Sequence, residues 1–432
     1  MSREGPIRIG AMVERTRAYG RELCRGIAQF AQEKGNWQLT LLNGNNLNDR
    51  QLMRQFDGFI CRFLDPRLAR RFTRLNRPVV DVFCDRPLPG VAAVDADHVG
   101  IGRAAANHLI EHHFTRFAFC GHNGCAYSDG RLRGFSEVLS QRGFDCLRYE
   151  HPGQHYDFDR DKVFDDPIWD EGDADELRDW LESLPKPVAV FASHDFRGYQ
   201  IIQTCRQAGI AVPQDVAVIG VDDDPVLCLF STPTITSVDP DAAAIGRLAA
   251  QTLDELIRRG VTRSDLPPRS TPCRGVTQRA STDVFPIKPE WMGDALLFIR
   301  HHVADGISSA DVCRHVGRSH TLVSANFKKL LNATIQTEII RVQLQEAQRL
   351  LHAGLQPAKV SALAGFRSLT YFSTSFSKAF GMPPSAFAGS VSPRRMNYFE
   401  KRGGVDDASR PVLSAIISSP SAPDAIRQPT AI

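Results

Sequence analysis

Pro213-Gln214-Asp215-Val216-Ala217-Val218-Ile219-Gly220-Val221-Asp222-Asp223 decides how the first two thirds of this chain fold. Residues 216–221 are apolar without alternation, which marks a strand covered on both faces, as in a parallel sheet. The run stops abruptly at carboxylates. In open parallel sheets, ligands bind beyond the carboxyl ends of the strands, so these polar ends are where a site is sought.

Outward from this stretch, comparable runs occupy 7–13, 37–42, 58–63, 79–83, 117–120, 188–192 and 235–238. Helical periodicity fills the intervals at 21–33, 102–111, 131–141, 173–184, 196–207 and 241–258. Strand–helix alternation of this kind gives doubly wound α/β sheets. Residues 282–290, with Pro286 and Pro289, change the composition and read as a linker. Beyond them the strand-like runs stop. Residues 291–390 read as helices, and the Pro-, Ser-, Ala- and Gly-rich residues 391–432 as a disordered tail.

The helical part repeats one pattern. Ser308 and Asp311 offer a capping box, Val312, Cys313 and Val316 face a core, and Gly317 makes a turn before Ser319 caps a second helix. That helix buries Val323, Phe327, Leu330 and Leu331. In the second copy, 357–364 is the short helix and Gly365-Phe366 the turn. Ser368 caps the long helix, which buries Phe372, Phe376, Ala379 and Phe380. The two capping serines stand 49 residues apart. A helix, a glycine turn and a capped helix make a helix-turn-helix. Ile340, Leu344, Ala347 and Leu351 define a connecting helix over 335–352, roughly 27 Å long. That is of the order of one duplex turn, about 34 Å. The expected DNA-facing residues are Arg318, Ser319, His320, Thr321, Ser324, Ala325 and Lys328 in the first unit. In the second they are Arg367, Ser368, Thr370, Ser373, Thr374 and Lys378. Small polar groups let a helix approach base edges, while cations neutralise phosphates. Pattern alone leaves open a helical bundle with an ordinary solvated face.

Charge supports the division. The 432 residues carry a net charge of only +3, yet 291–390 holds ten Lys/Arg against five Asp/Glu. A basic module on a mildly acidic body implies a polyanion partner for that module. No apolar run approaches the roughly 18 residues of a membrane span. The first residues lack the features of a secretory signal, and the ten cysteines show no CxxC pair or framework spacing. A cytoplasmic protein with reduced thiols is expected.

Two resemblances sharpen this reading. Residues 291–390 resemble the AraC-type DNA-binding domain. The most specific stretch is Ala364-Gly365-Phe366-Arg367-Ser368-Leu369-Thr370-Tyr371-Phe372-Ser373-Thr374-Ser375-Phe376-Ser377-Lys378-Ala379-Phe380-Gly381-Met382-Pro383-Pro384. Ala325 and Thr374 depart from it, since the family often has Arg there. The first 282 residues resemble the ligand-binding core of LacI-type repressors, related to periplasmic sugar-binding proteins. The run Asp97-His98-Val99-Gly100-Ile101-Gly102-Arg103-Ala104-Ala105-Ala106-Asn107-His108-Leu109-Ile110 matches that family's first-lobe helix. Gly130-Arg131-Leu132-Arg133-Gly134-Phe135, the opening 213–223 run and Arg279-Ala280-Ser281-Thr282 match further on. The DNA-binding headpiece usual before such a sensor is missing from the match, so DNA recognition is expected at the other end.

The resemblances imply a two-lobed periplasmic-binding-protein-like α/β sensor of doubly wound parallel sheets over 1–281, then an all-α double helix-turn-helix domain. They imply a transcription regulator, by family expectation an activator, with operator DNA and a small sugar such as xylose as partners. A homodimer and, for an activator, RNA polymerase follow as further partners. Sugars need carboxylates and guanidinium groups against their hydroxyls. By the family pattern Arg131 and Asp222 hold hydroxyls from the second lobe, with His194 and Asp195 beside them and Arg17 and Tyr19 from the first. A histidine at His194 can equally cap the next helix. His108, Glu111 and His112 stand at helical i, i+3, i+4 spacing, and Cys120 and Cys125 lie nearby, but no metal, cofactor or catalytic set is expected. The rivals are a cytoplasmic solute-binding protein, an enzyme, and a regulator answering to a non-sugar ligand.

Overall fold

The computed structural model describes residues 5–43, 46, 49–63, 66–83, 88–149 and 173–390; the expected tail at 391–432 lies outside them. The first lobe begins β1 (Ile7–Met12), α1 (Ala18–Lys34), β2 (Trp37–Leu41), α2 (Arg50–Met53), β3 (Gly58–Cys61), α3 (Pro66–Thr73), β4 (Val79–Asp81) and β5 (Ala92–Ala96). The chain then crosses to the second lobe with α4 (His98–Glu111), β6 (Phe117–Cys120), α5 (Ala126–Gln141) and β7 (Cys146–Arg148). There follow α6 (Ala174–Ser183), β8 (Val188–Ala192), α7 (Asp195–Gln207), β9 (Val216–Val221), α8 (Pro225–Phe230) and β10 (Thr236–Asp239). It returns to the first lobe through α9 (Ala242–Arg259) and β11 (Arg269–Thr271), and crosses once more to β12 (Gly275–Thr277).

The strands form two six-stranded sheets, ordered β11-β5-β4-β3-β1-β2 and β12-β10-β9-β8-β6-β7. All pairings are parallel except β10 with β12, which are antiparallel. The run at 216–221 is β9, and every residue in it is buried. Eight expected strands are present. The short strands β5, β7, β11 and β12 escaped the pattern because their apolar stretches are brief.

One expectation changes. The 97–110 motif was expected in the first lobe, yet α4 packs along α5 in the second. Small residues permit it: a Cβ on Gly102 would lie 2.0 Å from Arg131 O, and one on Gly134 2.0 Å from Val99 O. The two backbones touch where only glycine fits.

The first residues of the segment expected as a linker are packed down, while 288–290 are exposed. Thr282 is 0% exposed and Phe285 5%. His108 Nε2 lies 3.0 Å from Thr282 Oγ1, which in turn lies 2.8 Å from Thr236 Oγ1. Burial, and secondarily the Arg300 charge, lowers the His108 pKa from 6.5 to about 3. The unfolded chain therefore takes up this proton first as pH falls. The contribution is fully present above about pH 6.5 and is lost progressively down to about pH 3. The urea midpoint of the sensor is expected to drop across that window, and to drop less steeply in His108→Gln. Identical pH slopes for the two proteins would assign the effect to another group.

The helical elements are α10 (Trp291–His302), α11 (Ser309–His315), α12 (His320–Leu331), α13 (Ile335–His352), α14 (Pro357–Leu363), α15 (Leu369–Phe380) and α16 (Pro384–Ser390). Two compact units divide the chain: Met1–His302 with Ile307–Ile339, and Val303–Gly306 with the described residues from Ile340 onward. The division falls within α13, so one helix-turn-helix lies in each unit. In the first, Val312, Cys313, Val323 and Phe327 are buried, while Leu330 is 37% exposed. In the second, Leu344, Ala347, Leu351, Val360, Phe366, Phe372 and Phe376 form the core, and Ala379 lies at the surface. Gly365 has φ of 74°, and a Cβ there would meet Val303 O at 1.9 Å, so this turn admits only glycine.

Candidate functional site

The strand order reverses direction between β1 and β3 in one sheet and between β6 and β8 in the other. The segments beyond those strand ends build the ligand crevice expected of such folds. From the first lobe, Glu14 is 4% exposed; its Oε1 accepts Arg17 N at 3.0 Å and its Oε2 accepts Arg62 Nη1 at 2.7 Å. The Arg62 guanidinium lies 4.7 Å from the Phe83 ring and 5.7 Å from the Tyr19 ring. Burial, then the Asp95 charge, raises the Tyr19 pKa, while Arg62 and Arg131 oppose them and Asp222 adds to them. Tyr19 thus remains a phenol at the focus of charges from both lobes.

From the second lobe, Arg131 is 4% exposed and lies over the Tyr127 ring at 5.2 Å. It donates to Ser193 O, and its Nη2 stands 3.8 Å from Asp222 Oδ1. Asp222 has φ of 112°, a conformation that L residues rarely adopt. Strain at such a position costs on the order of 1–3 kcal/mol and clusters at functional sites. Burial raises the Asp222 pKa, against the charges of Arg131, Arg17 and Arg62. The lobes also touch directly, for Ala18 N donates to Asp224 Oδ2 at 3.2 Å.

Tyr19, Arg131 and Asp222 are therefore brought together, with the Arg17 charge acting on both Asp222 and His194. His194 and Asp195 are engaged differently. His194 Nδ1 accepts Arg197 N at 3.0 Å as the cap of α7, and its Nε2 lies 3.2 Å from His122 Nε2. The cap requires a bare Nδ1, so Nε2 carries the proton. Burial, then His122 and three arginines, lowers its pKa and keeps the ring neutral. Asp195 Oδ1 accepts Ser237 Oγ at 2.6 Å, and Oδ2 accepts Asp224 N at 2.9 Å and Cys228 Sγ at 3.3 Å. Both residues hold the strand-end loops in place. Arg62, Asp95 and His98 belong to the crevice and escaped the sequence reading. Arg62 stands just beyond β3 but inside the 58–63 run, so it was absorbed into the expected strand.

Among the described residues, Arg62 Nε, Arg131 Nε, Ser193 Oγ and His98 Nδ1 are buried without a hydrogen-bond partner. A buried polar group left unpaired costs about 1–3 kcal/mol, so these atoms point to a ligand that accepts hydrogen bonds. The carboxylates of Asp222 and Asp95 add acceptors alongside. Donors and acceptors mixed in this way match hydroxyl groups, which do both.

In the helical module, Ser319 Oγ accepts Leu322 N at 3.4 Å and Ser368 Oγ accepts Tyr371 N at 3.2 Å. The two expected serines thus cap their helices. Arg318, His320, Thr321, Ala325, Lys328, Arg367, Thr370, Thr374 and Lys378 are exposed, and Ser324 and Ser373 half-buried. Ser324 Oγ lies 3.4 Å from His320 Nδ1, and Thr374 Oγ1 donates back to Thr370 O at 3.0 Å. Leu322 and Tyr371, each 45% exposed, occupy equivalent places in the two long helices and were not foreseen. Their signal was an apolar residue in the first turn, outside the buried stripe.

A periplasmic binding protein-like domain model matches residues 106–282, and a helix-turn-helix domain model matches 312–390. The xylose operon regulatory protein of Escherichia coli K12 is 26% identical over 395 residues, spanning 88% of this chain and 96% of its own. Its Haemophilus influenzae counterpart is 25% identical over 394 residues, covering 88% and 97%. A solved xylose-binding transcription activator superposes with a TM-score of 0.54 at 25% identity, over 90% of this chain and 99% of its own. The chain joins a periplasmic-binding-protein-like α/β fold to two helix-turn-helix units, in the order in which the two domain models match.

Proposed function

We infer that this chain, similar along 88% of its length to xylose operon regulatory proteins, is a sugar-responsive DNA-binding transcriptional regulator whose effector is a pentose such as xylose. The observation that carries the reading is the Arg131–Asp222 pair facing Tyr19 and Arg62 across the lobes, with unpaired buried donors around it. Bound sugar stabilises the closed lobes, because only there do its hydroxyls meet both sides. The DNA-binding equilibrium then shifts by the sugar's differential affinity for the two states. Activation of transcription is the reading that the solved xylose-binding transcription activator supports, and the proposal takes RNA polymerase as a further partner. Action in the cytoplasm follows from a DNA target, and the proposal includes no catalytic role. Calorimetry with pentoses and hexoses, beside gel shifts on the upstream DNA, tests it. Binding to none of the sugars would leave a regulator of some other ligand.

The proposal places DNA contacts on Arg318, Ser319, His320, Thr321, Ser324, Ala325, Lys328, Arg367, Ser368, Thr370, Ser373, Thr374 and Lys378. Arg318 and Arg367 stand just before the two capping serines and serve phosphates. Each replaced by alanine is expected to reduce the slope of log affinity against log salt by about 0.9. An unchanged slope in both would move the phosphate contacts elsewhere.

A homodimer is part of the proposal. Val226, Leu229 and Phe230 of α8 are 59%, 64% and 80% exposed, an apolar cluster suited to a second copy. Sedimentation is expected to give a dimer for the parent and a monomer for Phe230→Glu. A dimer in both would place the interface on another surface.

A further inference from the structure

Helix α4 joins two places that the sensor must connect. Its N-terminus begins at the crossing from the first lobe, where Asp97 caps it by accepting Gly100 N at 2.9 Å. His98, its first residue, lies 3.3 Å from Asp95 in the crevice. Its other end, about 21 Å away, meets the residues leading into α10. There His112 is 1% exposed and its ring is stacked on Phe285 at 5.1 Å with an interplanar angle of 10°. His112 Nδ1 donates to His108 O at 2.7 Å, which leaves Nε2 to accept from the Arg300 guanidinium of α10. Arg300 also donates to Gln278 and lies over the Phe285 ring at 5.1 Å. Phe285 is thus held between the histidine that follows α4 and an arginine of α10. Gly293 of α10 comes close as well, since a Cβ there would lie 2.6 Å from Phe285 O.

These contacts hold α10 against the end of α4 by shape and by hydrogen bonds whose direction is fixed. The N-terminal half of α4 cannot slide freely, because its glycine contact with α5 locks the two backbones together. A movement at the Asp95–His98 crossing therefore reaches α10 as a displacement of a rigid rod.

We propose that His112, Phe285 and Arg300 are the positioning residues of the regulatory response, and that α4 transmits lobe closure to α10 through them. The inference rests on the sugar-responsive reading above. Its test uses the full chain in two arms, with Arg300→Ala, Phe285→Ala and, as a comparison, Arg314→Ala, whose arginine bonds Asp311 within α11. In the first arm, without ligand, amide exchange across α10 is expected to quicken at least tenfold in the Arg300 and Phe285 variants. The centre of α4 and the Arg314 variant are expected to match the parent. Unaltered exchange in α10 would overturn the latch. In the second arm, DNA affinity is measured with and without D-xylose, alongside D-xylose affinity itself. Allosteric coupling is typically about 5- to 150-fold. The parent's ratio is expected to fall below about twofold in the latch variants, with sugar affinity held within about twofold. A full ratio in those variants would also overturn it. A parent whose DNA affinity ignores every pentose would instead defeat the sugar reading, and the exchange arm alone would then decide the latch.

Discussion

Asp222→Gly is expected to lower sugar affinity about 100-fold or more while leaving the folded sensor about as stable as the parent. The loss follows from removing a carboxylate that accepts hydroxyl hydrogens, since hydrogen bonds to charged groups are worth about 1.5–3 kcal/mol each. The tolerance follows from the backbone. A residue at φ of 112° is strained unless it is glycine, and release of about 1–3 kcal/mol offsets the lost pairing with Arg131 and the extra chain entropy. Calorimetry with the sugar and urea denaturation are read on the same variant. Undiminished sugar affinity would remove Asp222 from the site, and a collapse of stability would make its role structural.

Asp173→Ala is expected to destabilise the sensor by about 3–5 kcal/mol, because it removes the carboxylate that pairs with a buried guanidinium. Arg197 is 0% exposed and Asp173 3%. Arg197 Nη2 and Nη1 donate to the Asp173 carboxylate at 2.5 and 3.1 Å, and Nε donates to Cys120 Sγ at 3.2 Å. Tyr149 Oη donates to the same carboxylate at 2.8 Å, and its ring lies 5.0 Å from the guanidinium. This cluster sits beneath the β8–α7 junction, where His194 caps the helix. A matching loss of sugar binding is therefore expected at temperatures where the parent is intact. Denaturation midpoints check it, and a loss under about 1 kcal/mol would show that Arg197 finds water or another acceptor.

Much of this architecture was legible because burial leaves a strong trace in composition. The run 216–221 had to be a covered parallel strand, and the carboxylate at its end had to meet solvent or ligand. Gly317 and Gly365 marked turns, and the serines two and three residues after them marked helix starts. The lobe of α4 was less legible, since its small-residue face suits contact with either sheet and only the α5 glycines decide. His194 and Asp195 are legible as types suited to a sugar, but their contacts with neighbours distant in sequence, His122, Ser237 and Cys228, are visible only after folding. Arg62 follows β3 and Asp95 lies near the end of β5, and their convergence on Tyr19 is visible only after folding.

The packing of α10 on the sensor gives the ligand crevice a physical route to the first helix-turn-helix, which lies in the same compact unit. Regulation then requires no flexible tether. Its strength is bounded by the sugar's preference for closed lobes.

Fluorescence anisotropy of labelled upstream duplex, titrated with the intact protein at zero and at saturating pentose, measures that link most directly. Two binding curves separated by fivefold or more are the predicted result. Superimposed curves for every pentose tried, from protein that calorimetry shows to be loaded, would contradict it.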